Sequence, residues 1–347
     1  MKLELVTPQT AGELDAFVEQ HPQGYFTQTS PWGKEKEDWL WRGILCREET
    51  GRIRGAMAVL MRRVRWIGCR MLYAPRGPVA DPEDLETLAL LVRGAKEMGK
   101  VYQGYLLRID PPAPESDGDF RRRMERLGFR IDPISDFSSF QPRLGYRLDL
   151  TGKTEEQLLV AFHRETRYNV KSAEQCGVHV EPGGPEDAEV FFSMMEHTAR
   201  RDGFTPQSAD FYRRLLLAFP QWARMYLAWY DGRPVAGTIC LHMGSRTWEL
   251  YSCSAGGEAR HSNELLKWTV IRWALQNGSA CCDFGGVEGY PNRDNPQFGL
   301  HRFLQGFGAE FYAYLGQMDL PLRPCLCRWV QWGQSAWPAL RGKEFSK

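Results

Sequence analysis

The second half of this chain repeats the plan of its first half, and that repeat limits the fold more than any other feature. Glu48-Glu-Thr-Gly-Arg-Ile-Arg-Gly55 is answered by Tyr230-Asp-Gly-Arg-Pro-Val-Ala-Gly237, Leu72-Tyr73 by Leu250-Tyr251, and the strand ending at Asp110 by the strand ending at Asp283. In each half a hairpin is predicted (42–48 with 52–64, and 224–229 with 233–241), followed by a third strand, a helix (82–98 and 263–276) and a further strand (101–109 and 279–284). A strand, helix, strand order calls for a crossover, so each half reads as a mixed sheet covered by helices, an α/β (α+β) class. The 347 residues suit two such domains. We place them at 1–145, completed by about 317–347, and at 146–316. Thr10 is expected to cap a helix running to Gln20, the segment 143–150 to complete the first half, and one long helix to run from 155 to about 175.

Composition excludes several function classes. The net charge of +1 gives no global field for DNA, an acidic partner or a membrane. Nine scattered cysteines contain no Cys-x-x-Cys, and seven dispersed histidines form no metal-binding spacing, so no metal is expected. No P-loop and no nicotinamide fingerprint appear, and no cofactor is expected. An odd cysteine count, no leader-like segment and no apolar run of roughly 18 residues point to a cytoplasmic protein with reduced thiols.

Chemistry concentrates after the strand ending Phe284-Gly285-Gly286, where an acidic and polar loop leads to Gly299-Leu-His-Arg-Phe-Leu-Gln-Gly-Phe-Gly308. The repeated plan fits acyltransferases of the acetyltransferase (GNAT) type. More specifically, the chain resembles the FemABX peptidyltransferases nearly end to end. The matches are Phe26-Thr-Gln with Trp32-Gly-Lys-Glu-Lys36, Tyr73-Ala-Pro-Arg-Gly-Pro-Val79, Leu106-Leu-Arg-Ile-Asp110-Pro, Gln141-Pro-Arg and Thr166-Arg-Tyr-Asn169. They continue in Ala199-Arg-Arg-Asp-Gly-Phe204, Asp283-Phe-Gly-Gly286 and Phe303 with Gly306-Phe-Gly308. The resemblance implies two tandem GNAT-like domains facing across a cleft, in the branch without a coiled-coil arm. It implies transfer of an amino acid from aminoacyl-tRNA, the co-substrate, to the stem peptide of a peptidoglycan precursor. That acceptor is UDP-muramyl-pentapeptide or its lipid-linked form, met at the inner face of the membrane.

The same resemblance assigns roles. Asp110 and Phe303 fall on catalytic positions, Phe303 at the tRNA acceptor end. Lys36, Tyr105 and Tyr251 fall on precursor-binding positions. Gln207 stands where the family has a phosphate-contacting arginine, Phe211 where it has a tyrosine, and Leu304 where it has a lysine that stabilises charge in the reaction. The residue types themselves leave plainer readings open: Lys36 as a solvated helix charge, Tyr105 and Tyr251 as core. Arg164, Arg167 and Lys171, spaced three and four apart, form a basic stripe for tRNA phosphates or an ordinary solvated face. The tail Arg328-Trp-Val-Gln-Trp332 to Trp337 and Arg341 suits peripheral membrane contact or packing on a domain. Two other functions stay open: an acyl-CoA-dependent N-acyltransferase, for which Ser254-Ala-Gly-Gly257 is a poor amide cradle, and a precursor-binding paralogue without catalysis, suggested by Leu304.

Overall fold

The computed structural model describes residues 1–36, 38–64, 67–131, 140–256 and 260–336, with side chains as far as Val330. Two compact units divide them: residues 1–131 with 140–141 and 314–336, and residues 142–313. Strands and helices are numbered separately in chain order, with α1 (Gly12–Gln20), α2 (Ser30–Glu35), α3 (Leu85–Val101) and α4 (Gly118–Arg126) in the first unit. Its strands are β1 (Lys2–Val6), β2 (Leu40–Arg47), β3 (Ile53–Arg63), β4 (Arg70–Ala74), β5 (Val79–Ala80), β6 (Gly104–Ile109) and β7 (Arg130–Ile131).

The second unit holds β8 (Leu144–Asp149), β9 (His179–Gly183), β10 (Ala223–Tyr230), β11 (Arg233–Met243), β12 (Arg246–Ser254), β13 (Cys281–Gly286) and β14 (Glu310–Ala313). Its helices are α5 (Glu155–Ala161), α6 (Arg164–Gln175), α7 (Ala188–Asp202), α8 (Ala209–Ala218), α9 (Ser262–Gln276) and α10 (Phe298–Gly306). β15 (Met318–Pro321) and α11 (Pro324–Ala336) then return to the first unit.

The sheets run β1-β2-β3-β4-β6-β15-β7, with β5 on β3, and β14-β8-β13-β12-β11-β10-β9. In each, β2–β3–β4 and β10–β11–β12 are antiparallel, and the next pair, β4·β6 or β12·β13, is parallel. A parallel neighbour needs a crossover, supplied by α3 and α9. Asp84 starts α3 by accepting the Thr87 amide at 3.0 Å, and Leu88, Leu91, Val92, Ala95 and Met98 give it one buried face. The repeated plan is thus present in both units.

Three sequence expectations need correction. The segment 143–150 does not complete the first half; as β8 it lies between β13 and β14 of the second sheet. Its alternation buries Leu144, Tyr146 and Leu148 in the second core, a pattern that shows a strand but not which sheet receives it. The helix predicted from 155 to 175 is two helices, because Phe162 and His163 are extended (ψ 152° and 147°). Phe162 turns inward to meet Trp268 at 5.4 Å and Phe307 at 5.1 Å, and the His163 amide donates to Gly306 O at 2.9 Å. Thr10 closes a short 3-10 turn with Thr7 instead of capping α1, which starts from Ala11.

At the far end, β15 inserts between β6 and β7, fixed by a bidentate Arg108–Asp319 pair at 2.8 Å on both arms. The Cys327 thiol of α11 donates to Tyr105 O at 3.0 Å. Trp337 and Arg341 of the tail, the Trp332 side chain and Gly257 lie outside the described residues. No described helix is long and apolar enough to cross a membrane.

The second core converges on Phe307, which is fully buried and ringed by Phe162, Phe303 (5.3 Å) and Phe284 (6.4 Å). Phe307→Ala is expected to lower unfolding stability by about 3–5 kcal/mol. Urea unfolding followed by tryptophan fluorescence measures it; a loss under about 1 kcal/mol would show that the neighbouring rings collapse into the space.

Candidate active site

In the first unit the site grows from the turn after β4. Gln28 holds that turn: its Nε2 donates to Ala58 O (3.1 Å) and Pro75 O (2.8 Å), while its Oε1 accepts the Ala58 amide at 2.8 Å. Thr27 adds a bond from its hydroxyl to Pro75 O at 3.0 Å. A Cβ at Gly77 would come within 2.6 Å of Gln28 Oε1, so a larger residue there would have to displace the Gln28 amide that holds the turn. The turn, with a cis Gly77–Pro78 bond and Arg76 at φ 56°, aims the Arg76 amide at Asp110 Oδ1, 2.6 Å away. The Tyr73 hydroxyl donates to Asp110 Oδ2, also at 2.6 Å. The Arg76 guanidinium lies against the rings of Tyr25 (5.5 Å) and Tyr314 (5.0 Å).

Asp110 is only 3% exposed. Burial raises its carboxyl above the ordinary value, opposed by Arg76, the Tyr73 hydrogen bond, the Arg76 amide and Arg108. Burial likewise lifts the Tyr73 phenol well up, reinforced by the Asp110 charge, and pushes Tyr105 up to about 12. Arg108 is within electrostatic reach of Tyr73, Tyr105 and Asp110, so Tyr105 and Asp110 share one neighbourhood. Arg108 also lies over Phe140, whose ring is 4.9 Å from Tyr73 and 6.2 Å from Trp39. Lys36 ends α2 with its ammonium 4.6 Å over the Trp32 ring. Sequence reasoning missed Gln28, Tyr73, Arg76 and Arg108, although all four lie inside motifs it had marked.

In the second unit the expected residues fall into two groups. Ser208 caps α8 through the Phe211 amide (3.2 Å), which sets Phe211 edge-on to Tyr251 at 5.7 Å, with Tyr212 5.2 Å from Tyr251. Gln207 is exposed, and its backbone meets the Tyr212 hydroxyl. The other group surrounds α10, where Phe303 is half-buried against Phe307 and Leu304 points into the core. Neighbouring His301 is fully buried, bonded to the Tyr146 hydroxyl (2.9 Å) and Asn295 Nδ2 (3.1 Å), and so pins the 288–297 loop. Arg302 faces solvent near Glu165 at 3.9 Å.

The basic stripe on α6 divides. Arg167 donates to the Val160 and Phe162 carbonyls, closing the end of α5. Arg164 and Lys171 are exposed, and between them Tyr168 is 67% exposed.

Two mixed sheets, each with one parallel pair bridged by a helix, give the tandem GNAT-like plan expected from the repeat. The crystal structure of FemX matches with a TM-score of 0.87 at 23% identity, covering 95% of this chain and all of that one. A tandem GNAT protein from the clavulanic acid biosynthesis pathway matches at 0.54 and 13%, covering 92% and 99%. The model of the FemAB family matches residues 9–233 and 230–332, and the chain belongs to that family. Among its relatives is the UDP-N-acetylmuramoylpentapeptide-lysine N(6)-alanyltransferase of Weissella viridescens, 28% identical over 93% of this chain and 96% of that protein. Another is the lipid II:glycine glycyltransferase of Staphylococcus epidermidis, 24% identical over 91% and 92%.

The Asp110 environment has a measurable signature. A carboxyl raised on folding contributes stability that is fully present below its unfolded value, about 3.9, and is lost as pH rises through the folded value. Asp110→Asn, neutral throughout, is therefore expected to gain on wild type in unfolding stability from about pH 4 toward neutrality. Denaturant titrations of both proteins across that range measure it; a constant difference would mean that the carboxyl is not raised.

Proposed function

We propose that this protein transfers an aminoacyl group from aminoacyl-tRNA to a stem-peptide amine of a peptidoglycan precursor. The observation that carries this reading is the match to the FemAB family along nearly the whole chain, with aminoacyl-transferring relatives covered almost end to end. The amine attacks the ester carbonyl, a C–N bond forms, and the ribose oxygen leaves with the proton that the amine gives up. No covalent enzyme intermediate is needed, so the protein acts by positioning and charge stabilisation.

The chain's residues suit that division of labour. Asp110, set by Tyr73 and the Arg76 amide, holds the incoming amine, while Lys36 and Tyr105 receive the precursor. Tyr251, backed by Phe211, presents an apolar face with a polar tip. Phe303 receives the acceptor end of tRNA, and Arg164 and Lys171 meet its phosphates with Tyr168 between them. For a lipid-linked acceptor, Arg328 and the exposed Trp329 on α11 supply the membrane contact. The buried Leu304 favours a second reading, a relative that binds precursor without transfer.

The test is transfer of radiolabelled amino acids from charged total tRNA to UDP-muramyl-pentapeptide and to the lipid-linked precursor. Label on either acceptor, reduced at least 100-fold by Asp110→Ala, is the expected result. Precursor binding without label selects the non-catalytic reading; no binding of either substrate removes both. In the same assay, Arg164→Ala/Lys171→Ala is expected to raise the KM for aminoacyl-tRNA several-fold and flatten its salt dependence. An unchanged KM would leave those cations as solvated surface.

A further inference from the structure

Beneath Phe303 lies a charge pair that sequence reasoning passed over. Lys267 of α9 and Glu249 of β12 form an ion pair with side chains only 7% and 4% exposed. The Glu249 carboxylate also accepts the Thr238 hydroxyl at 3.1 Å and the Ser252 hydroxyl. The Lys267 ammonium lies 4.5 Å from the Phe284 ring centroid and 5.8 Å from that of Phe303.

Burying two ions costs several kcal/mol each before their attraction is counted, and two apolar residues of like size would generally hold a core as well. The location gives the pair a chemical use. β12 and β13 are paired only from Arg246–Trp248 to Cys281–Asp283, and β12 then runs on to Ser254 without a described partner on that side. Glu249 is the first residue past the last paired position. The carboxyl ends of parallel strands are where such sheets receive ligands. There Phe284 and Phe303 flank one ammonium, while Leu304 is buried and His301 is committed to Tyr146.

We propose that Lys267, held by Glu249, is the cation that stabilises the oxyanion formed when the amine attacks the aminoacyl ester. This rests on the transfer reading above and names the charge that reading requires. As the C–N bond forms, the carbonyl electron pair moves to oxygen, and the ammonium donates a hydrogen bond to it. Collapse of that oxyanion breaks the C–O bond; the ribose oxygen leaves with the amine's proton, and Lys267 keeps its own.

The test compares wild type, Glu249→Gln and Glu249→Gln/Lys267→Met by thermal unfolding and by kcat and KM for transfer. The double variant, which removes both charges, is expected to fold and to lose about 100-fold or more in kcat with both KM values kept. Glu249→Gln alone, which keeps the ammonium but removes the carboxylate that holds it, is expected to lose about 10-fold in kcat, clearly less than the double variant. Equal losses in the two variants would make the pair a structural unit and overturn the assignment. Unchanged transfer in the double variant would overturn it while leaving the transfer reading intact. Absence of transfer in wild type would remove both. Should the double variant unfold, Glu249→Leu/Lys267→Met supplies an apolar replacement read in the same way.

Discussion

A parallel strand pair cannot be closed by a tight turn, and much of this molecule follows from that constraint. Each unit builds an antiparallel run of four strands, β1–β4 and β9–β12, and then needs a helix to bring the next strand alongside in the same direction. The helix covers one face of its sheet and supplies much of the core. Where the pairing of the two parallel strands stops, both units place a polar group. The first has Asp110, one residue past β6; the second has Glu249, one residue past the last paired position of β12.

Burial of charge is handled differently at the two places. Among the described residues Asp110 has no counter-ion directly at its oxygens; a phenol and a backbone amide hold it, with arginines at longer range, and burial dominates. Glu249 has a lysine directly against it and two hydroxyls besides. One arrangement shifts a proton equilibrium; the other holds a positive charge at a chosen point within an apolar setting.

The plan of both units was legible because its punctuation is local. Glu49-Thr-Gly51 and Asp231-Gly232 are turn signals, and Gly51 and Gly232 adopt the positive φ that such turns require. The strand leading to Asp110 was equally legible, whereas a role for that carboxylate came only from the family resemblance. Other features depended on distant partners. Nothing at Phe162-His163 resembles a helix breaker; the break exists because Trp268 and Phe307 offer the phenylalanine a place. Lys267, read on a helix, looks like any solvated cation until Glu249 is found opposite it. Arg167 seemed one of three equal cations, yet its donors close the end of a neighbouring helix.

The position of β15 carries a consequence for biosynthesis. This strand, more than 300 residues from β1, sits inside the first sheet between β6 and β7. The second unit has all its strands by Ala313, whereas the first still lacks an interior one. On the ribosome the later-made unit can therefore close first, while the earlier-made one waits with β6 unpaired along one side. A nonsense mutation near residue 314 would spare the half of the protein next to it and cripple the half that was made first.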